Sequence, residues 1–496
     1  MSDSAAMLER SQDSELRKSR RAWYWLGAVL AAFAAGYLVY SQTTAFVWDE
    51  GFHLVAAQLI AWGKTPYIDF AFPQTLLNAY FNAGVLRAIG DRWQAVHVFD
   101  ALFTIATIAL AAIYVMRRFP EPRWRLACAV LTACLIGLNT TVVGFGPIAQ
   151  AYGSGMFLLF TAYLLAVAKA RGGSAWAAFV IALLAGAAAG STLLTAPAVP
   201  VLFVWVLLNS RGSMRTRNAI LFIAGVLIAF TPEIVLFVRA PQQTWFNVVR
   251  YQAMFRRVNW GDVGAHDFDV LTDWSASAET LLLAGFALLG LLYISKRSGW
   301  PRDVRREHYL AFAIALALGI YIATAHPTFG RYFIFMIPFL AILASAGFYH
   351  ASTRLFDPER PFWPSALLVL VLATAAAKFL FDDRDATHWS DYEKIAAKIH
   401  EVTPQGQEYF ADEMVYFLLK QQPPSGMEFS YSHKIELAAK EEALYHTISL
   451  KELKEQVAHG RFFTFETCKD EIMDDFELDK HYPHKQEFDD CTVYWR

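Results

Sequence analysis

Two adjacent carboxylates, Asp49 and Glu50, follow the first long apolar run of the chain, where ionisable groups usually serve function. Arg331 begins a later apolar run, and Arg256 and Arg257 lie in a polar segment between two others. A carboxylate can take the proton of an attacking hydroxyl, and an arginine can bind a phosphate through two hydrogen bonds. Together they predict group transfer from a phosphate, with an acid as the base and arginines on the leaving group.

The composition limits where such groups can lie. The chain has 496 residues, of which 56% are hydrophobic and 18% charged, whereas soluble domains carry about 25% charge. Residues 382–496 hold 25 Asp and Glu against 13 Lys and Arg, a net charge of −12, and residues 1–381 carry +10. A single soluble globule and a disordered chain are excluded, and four cysteines are too few for a disulfide scaffold.

The apolar runs predict a polytopic α-helical membrane protein, since each approaches the roughly 20 residues that cross a bilayer. We expect an N-terminal segment at 1–21, a membrane part at 22–381 with large outer loops at 42–94 and 239–277, and a C-terminal domain at 382–496. About eleven spans are predicted at 22–41, 95–116, 124–140, 148–168, 174–192, 195–210, 218–238, 278–295, 308–325, 331–349 and 363–381.

Basic residues predict the orientation of the spans. With the N-terminus in the cytoplasm, the cytoplasmic segments hold 21 Lys and Arg and the outer segments of the membrane part hold eight. An odd number of spans then places the C-terminal domain outside a bacterial inner membrane, in the periplasm. Asp49, Glu50, Arg256, Arg257 and Arg331 all fall on that outer side.

The C-terminal domain has the pattern of a small α/β domain. Helices are predicted near 390–402 and 449–459, and strands at 461–465 and 491–495. Cys468 and Cys491 are its cysteines, and an oxidising compartment favours a disulfide between them over two buried thiols.

The first outer loop is predicted to form a helix lying on the membrane surface at 54–62 and a second helix at 76–89. Several of its polar residues allow a simpler interpretation. Asp49 or Glu50 could cap the surface helix, and Asp69 could serve its own turn. His53 lies one helical turn after Asp49, but no third ligand lies near enough in sequence to favour a metal site. Arg331 could extend to lipid headgroups instead of a phosphate.

A sugar on polyprenyl phosphate fits this arrangement, because its lipid lies between spans and its phosphate is the leaving group. One carboxylate suffices as base if the acceptor attacks opposite the phosphate, which inverts the configuration. We predict Asp49 as the base, with Glu50 beside it. The predicted phosphate ligands are Arg331, Arg256, Arg257 and Tyr332. The predicted substrate contacts are Asp69, His53, His326, Gln74 and Asn259. No metal or other cofactor and no nucleic acid are expected, and the partners are membrane lipids, the lipid-linked donor and an envelope acceptor.

The sequence also resembles a known family, the membrane glycosyltransferases of the GT-C fold. Its branch of protein O-mannosyltransferases and lipid A aminoarabinose transferases is the most similar. The resemblance covers the layout of the membrane part and three short motifs, Trp48-Asp49-Glu50-Gly51, the segment 63–70 with Pro73-Gln74, and Arg331-Tyr332 followed by Pro338. It implies a polyprenyl-phosphate sugar donor and Asp49 as the catalytic base.

The chain also departs from that pattern. The aminoarabinose enzymes carry Glu-Lys-Pro in the second half of the first loop, where this chain has Phe72-Pro73-Gln74-Thr75. The eukaryotic protein mannosyltransferases place a carbohydrate-binding-like domain in an internal loop, and no loop here is long enough for one. The alternatives are a flippase or transporter of lipid-linked oligosaccharides and an inactive relative. The sequence indicates neither the sugar nor the acceptor.

Overall fold

The computed structural model describes residues 2–46, 49–172, 174, 176–258, 261–296, 299–384, 386–429, 431–468 and 470–496. Its first 383 residues are helical, with a π-helix at Phe246–Phe255 and short 3-10 turns between the α-helices. The α-helices of this part are α1 Ser2–Tyr40, α2 Glu50–Ala61, α3 Leu77–Ile89, α4 Trp93–Arg118, α5 Arg125–Gly137, α6 Thr140–Phe145, α7 Ala151–Ala170, α8 Trp176–Ser191, α9 Ala198–Leu208, α10 Ser213–Ala229, α11 Thr231–Arg239, α12 Pro241–Trp245, α13 Val263–Ala276, α14 Ala278–Lys296, α15 Arg302–Thr324, α16 Ile337–Leu355 and α17 Phe362–Asp383.

Each of the eleven predicted spans coincides with a helix or a pair of helices. Among the described residues, six helices are long and apolar enough to cross a membrane, and a bent pair, α10 with α11, makes a seventh if it counts as one. The pair bends by 63° where Pro232 follows Thr231. The helices α8 and α9 are apolar but shorter. The chain is therefore a multi-pass membrane protein, and the count of eleven spans stays a prediction.

Small residues set how closely these helices pack. On α10, a Cβ added to Gly225 would lie 2.5 Å from the carbonyl oxygen of Phe179 on α8. On α8, a Cβ at Gly186 would lie 2.9 Å from that of Ala229. Because glycine carries no side chain, the two backbones approach to a distance that any other residue would prevent.

The first outer loop departs from the predicted surface helix. Every residue of α2 from Glu50 to Ile60 is buried, so the helix has no face left for lipid or water. The helix packs on α3 on one side and on the C-terminal domain on the other. The prediction of a membrane-surface position was wrong because the sequence shows that α2 is apolar but not that a distant domain covers it.

The C-terminal domain is the predicted α/β domain. Its sheet has the order β1-β2-β4-β3, in which β1 is parallel to β2 and the other pairs are antiparallel. The disulfide joins Cys468, just after β2, to Cys491 at the start of β4. The elements are α18 Trp389–Val402, β1 Glu408–Phe410, α19 Glu413–Leu419, α20 Ala439–Tyr445, α21 Leu450–Ala458, β2 Phe462–Thr467, α22 Asp470–Asp475, α23 Leu478–His481, β3 His484–Phe488 and β4 Cys491–Trp495.

The C-terminal domain and the first outer loop share one hydrophobic core. Trp389 of α18 stacks on Trp93 of α4, with ring centroids 4.7 Å apart. Gln58 on α2 donates a hydrogen bond of 3.2 Å to the carbonyl of Phe417 on α19. A Cβ added to Gly51 would lie 3.0 Å from the backbone nitrogen of Met414, so glycine after the acid pair lets α19 approach. This docking brings the C-terminal domain over the start of α2.

Candidate functional site

A cavity of about 700 Å³ opens between the membrane part and the C-terminal domain. In the membrane part, its walls come from the start of α2, the residues before α3, the start of α7 and the turn before α9. The π-helix and the end of α15 with the segment that follows also line it. The C-terminal domain contributes Phe429, Tyr431, Lys434 and Ile435. Eight predicted site residues line it, namely Asp49, His53, Gln74, Arg256, Arg257, His326, Arg331 and Tyr332. Segments far apart in sequence thus converge on one space.

Asp49 occupies the N-cap position of α2, but its side chain makes no capping hydrogen bond. Its carboxylate turns into the cavity and accepts a hydrogen bond of 2.7 Å from the guanidinium of Arg331. The other carboxylate oxygen accepts a bond of 3.2 Å from the hydroxyl of Tyr431. The capping interpretation of the Asp49 side chain was therefore wrong, and the predicted acid and arginine are directly paired.

Arg331 is held on several sides within the cavity wall. Its side chain is 13% exposed, and its Nε donates a hydrogen bond of 3.1 Å to the hydroxyl of Tyr152. The guanidinium also lies over the ring of Phe329, with its carbon 4.2 Å from the ring centroid, and over that of Phe46 at 5.0 Å. A fixed planar cation of this kind suits a phosphate better than a lipid headgroup contact, which needs no defined geometry.

Arg256 and Arg257 come from the end of the π-helix, and Arg256 lies over the rings of Phe329 and Tyr332, which Arg331 also contacts. The guanidinium of Arg256 donates to the carbonyl of Pro327 at 3.0 Å and also to the hydroxyl of Tyr332. Arg257 is exposed to the cavity. Three arginines therefore surround one space, which concentrates positive charge there.

Glu50 differs from its neighbour, because it is fully buried and points away from the cavity. One carboxylate oxygen accepts from the backbone nitrogen of Phe46 at 2.8 Å. The other accepts from the backbone nitrogen of Ala149 at 3.1 Å and contacts the ring nitrogen of His97. These bonds tie α2, α4 and the start of α7 together, which is a structural arrangement and not that of a base open to substrate.

The other predicted residues of the first outer loop also divide into those that line the cavity and one that serves the local structure. His53 lines the cavity, stacked on Phe52 at 4.5 Å, and burial lowers the pKa of His53 to about 4, so its ring is neutral at pH 7. Gln74 also lines the cavity. Asp69 accepts a hydrogen bond of 2.6 Å from the backbone nitrogen of Thr65 and closes its own turn, which the turn interpretation predicted. Asn259 lies outside the described residues.

His326 lies on the segment after α15, and its side chain is 40% exposed. Its Nδ1 contacts a carboxylate oxygen of Asp267 on α13, and the second oxygen of Asp267 accepts a bond of 2.6 Å from the backbone nitrogen of Thr328. Sequence reasoning named His326 but not Asp267. Nothing in the spacing of the two residues indicates that they meet.

The C-terminal domain supplies site residues that sequence reasoning missed, Tyr431 and Lys434. Burial, together with the nearby Asp49, raises the pKa of Tyr431, so its hydroxyl stays protonated and donates a hydrogen bond to the Asp49 carboxylate. The ammonium of Lys434 lies 5.1 Å from the centroid of the Tyr431 ring. Tyr431 lies 382 residues after Asp49, so no local sequence pattern links the two residues. The predicted outer domain was the one signal that could have directed a search for site residues to the C-terminal part of the chain.

A second cavity, of about 590 Å³, lies within the C-terminal domain and shares Phe429 with the first. Six carboxylates line it, those of Asp412, Glu413, Glu466, Glu487, Asp489 and Asp490. In the described part of the chain, one group of possible metal ligands converges, Glu466 with Cys468 and Cys491. The disulfide occupies both sulfur atoms, so they are not free thiolates.

No protein-family model and no curated protein sequence matches the chain. Solved structures share its fold, among them two of ArnT from Cupriavidus metallidurans, a lipid A aminoarabinose transferase of the GT-C fold. The structure bound to undecaprenyl phosphate is 12% identical, with a TM-score of 0.65 over 95% of this chain and 97% of that one. The apo structure is 14% identical, with a TM-score of 0.66 over 96% and 98%. The fold implied by the sequence motifs is thus confirmed.

Proposed function

We propose that this GT-C chain is an inverting glycosyltransferase, moving a sugar from polyprenyl phosphate to a hydroxyl of an envelope acceptor. The reaction would take place on the outer face of a bacterial inner membrane, with the N-terminus in the cytoplasm. The observation that carries the proposal is the pairing of Asp49 with Arg331 at 2.7 Å in the wall of the large cavity. The shared fold with ArnT, one structure of which holds undecaprenyl phosphate, supports the choice of donor.

The pairing supports a separate role for each of the two residues. Arg331 would exchange the Asp49 carboxylate for the donor phosphate, since both are anions that fit a guanidinium fork. Asp49 would then be released toward the acceptor and would remain bound to the Tyr431 hydroxyl. Donor binding therefore both loads the cation and frees the base.

The chemical step needs one base and a cationic cradle. Asp49 takes the proton of the acceptor hydroxyl while its oxygen attacks the anomeric carbon and the phosphate leaves. Arg331, Arg256 and Arg257 would stabilise the charge that develops on the phosphate. A metal ion is not needed in this scheme, because the arginines supply the positive charge, and transfer is expected to persist in a chelator.

A second candidate is a flippase or transporter of lipid-linked sugars, which one observation favours. Asp100 on α4 is fully buried in the membrane part, and neither of its carboxylate oxygens has a hydrogen-bond partner among the described residues. Intramembrane carboxylates of this kind occur in transport pathways. We prefer the transferase because the cationic cavity and the Asp49 carboxylate in its wall match that chemistry.

The test uses purified protein, membranes from a strain lacking the chain, and a panel of undecaprenyl phosphates that carry single hexoses or pentoses. Transfer is followed by release of undecaprenyl phosphate. We expect Asp49→Asn to lower the rate by roughly 10²- to 10⁴-fold, because the amide cannot take the hydroxyl proton. Loss of the charge beside Arg331 should lower thermal stability as well, but the protein that remains folded should show the same loss of rate. Near wild-type transfer by this variant would contradict the mechanism.

Glu50→Gln is the matched control for Asp49→Asn, one residue away. Because Glu50 is buried and bonded to three groups, this change should lower the unfolding temperature. The protein that remains folded should lose little of its turnover. If the panel yields no transfer but the protein moves a lipid-linked sugar across vesicle membranes, the transporter is the correct function.

A further inference from the structure

His326 lines the large cavity and is paired with Asp267 of α13, a buried carboxylate that does not itself line the cavity. Asp267 is 4% exposed, and both of its oxygens are engaged, one with His326 and one with the backbone nitrogen of Thr328. The carboxylate is therefore fixed relative to the imidazole ring. A carboxylate that holds one ring nitrogen sets the tautomer and direction of the other.

The segment that carries His326 is itself held from two sides. The guanidinium of Arg256 donates to the carbonyl of Pro327, and the ring of His266 contacts the carbonyl of Thr328 at 3.1 Å. Since Nδ1 of His326 faces Asp267 and the side chain is 40% exposed, Nε2 is the nitrogen that a ligand in the cavity can reach. The ring is thus both fixed and accessible.

The surroundings of His326 indicate an anionic ligand. The titratable and charged groups near His326 come from α13 (Asp267 and His266), from α15 (Tyr321), from the end of the π-helix (Arg256 and Arg257) and from its own segment (Arg331 and Tyr332), and Asp49 of the cavity pairs with Arg331. The three arginines outnumber the two carboxylates, of which Asp267 already contacts His326 and Asp49 already binds Arg331. A phosphate is the ligand that these groups would neutralise.

We propose that His326 donates a proton to the leaving phosphate and that Asp267 is its positioning residue, which rests on the proposed function. A departing phosphate monoester can take up one further proton, its second pKa being near 6. An imidazole whose one nitrogen is held by a carboxylate can present the other nitrogen to a reacting group as a proton donor. Asp49 already serves as the base, so the complementary task left in the site is that of the acid.

The step balances in atoms and charge. The bond between the anomeric carbon and the phosphate oxygen breaks, its electron pair goes to that oxygen, and the oxygen takes the proton from Nε2 of His326. The acceptor oxygen forms the new bond to the anomeric carbon and gives its proton to Asp49. The products are a glycoside, a protonated phosphate monoester, a neutral imidazole and a protonated Asp49, and proton exchange with water restores the last two.

The test needs no knowledge of the sugar, because it uses the product, undecaprenyl phosphate, bound to the full-length protein in detergent. Phosphorus NMR gives the pH at which the bound phosphate loses its second proton. A neighbouring imidazolium favours the dianion and lowers that midpoint. His326→Gln keeps a hydrogen-bonding side chain but removes the charge, and we expect it to raise the midpoint by about one pH unit.

If His326→Gln does not fold, Asp267→Asn provides the same test. It should raise the midpoint by a smaller amount, because the imidazole ring of His326 loses the carboxylate charge that holds it in place. Asp269→Asn, an exposed acid two residues away on α13, is the matched control and should leave the midpoint unchanged. An unshifted midpoint in a variant that still binds the lipid overturns the role of His326 alone. Failure of the wild-type protein to bind undecaprenyl phosphate overturns both this inference and the proposed function.

Discussion

The two cavities of the molecule are similar in size and opposite in charge. The interface cavity, of about 700 Å³, is lined by three arginines and Lys434, whereas the cavity of the C-terminal domain, of about 590 Å³, is lined by six carboxylates. The first is built from segments of both parts of the chain, and the second from residues 387–492 alone. The excess of positive charge in residues 1–381 and of negative charge in residues 382–496 thus has a counterpart in the side chains that line the two cavities.

In each cavity, one titratable group differs from the charged groups around it, and this group shows best how the two cavities differ. In the interface cavity the exceptional group is Asp49, a carboxylate among cations, and it is paired with Arg331. In the other cavity the exceptional group is His433 among acids. A carboxylate in a cationic wall can be displaced by a ligand phosphate, which is why the interface cavity is the better candidate for chemistry.

Among the changes that compare the two cavities, removal of Arg331 should have the largest effect. Arg331→Ala takes away the partner of Asp49 and the phosphate ligand, so donor use should fall by roughly 10²- to 10³-fold, as for other groups that stabilise a developing anion. The measurement is the donor dependence of transfer with the best sugar of the panel.

Arg211→Ala, at an exposed arginine between α9 and α10, is the control for loss of a positive charge and should keep wild-type kinetics. Unaltered donor kinetics in Arg331→Ala would instead assign Arg331 to lipid contacts. That result would also remove the main distinction between the two cavities.

Glu428 tests the segment that joins the cavities, since it precedes Phe429, which lines both. Burial raises the pKa of Glu428 to about 7, although the backbone nitrogen of Gly426 donates to its carboxylate at 2.8 Å. The native state therefore favours the neutral acid. The stability that this gives is complete below the unfolded-state value near 4.5 and is lost as pH rises through about 7.

A shift of this size corresponds to about 3 kcal/mol of unfolding free energy. The Glu428→Gln side chain cannot ionise. Between pH 5 and pH 8, the unfolding free energy of this variant should therefore fall by about 3 kcal/mol less than that of the wild type. The measurement is denaturant unfolding in detergent at a series of pH values. Glu436→Gln, at an exposed acid on the same segment, should retain the wild-type pH dependence. Equal pH dependence in Glu428→Gln and wild type would mean that Glu428 is charged in the native state.

Sequence reasoning found the helices and eight of the residues that line the interface cavity, because apolar length and local motifs are properties of short segments. It chose Asp49 as the base but kept Glu50 beside it among the catalytic residues, although Glu50 is buried away from the cavity. Successive helical residues point about 100° apart, and which one meets Arg331 depends on the packing of α2 against α4 and α19. Tyr431 and Asp267 were missed for a related reason, since their partners lie 382 and 59 residues away. Long-range docking, not local pattern, decides those contacts.

The smallest effect is expected in the cavity of the C-terminal domain. Asp489 and Asp490 are exposed on the turn between β3 and β4, where water solvates their charge without help from a ligand. The double change to Asn should therefore alter the rate of sugar transfer less than twofold, at both low and high salt. A large, salt-dependent loss would show that this cavity binds a cationic acceptor, and the two cavities would then be consecutive parts of one substrate path. Because Phe429 lines both, such a path would pass beside Tyr431 to reach Asp49.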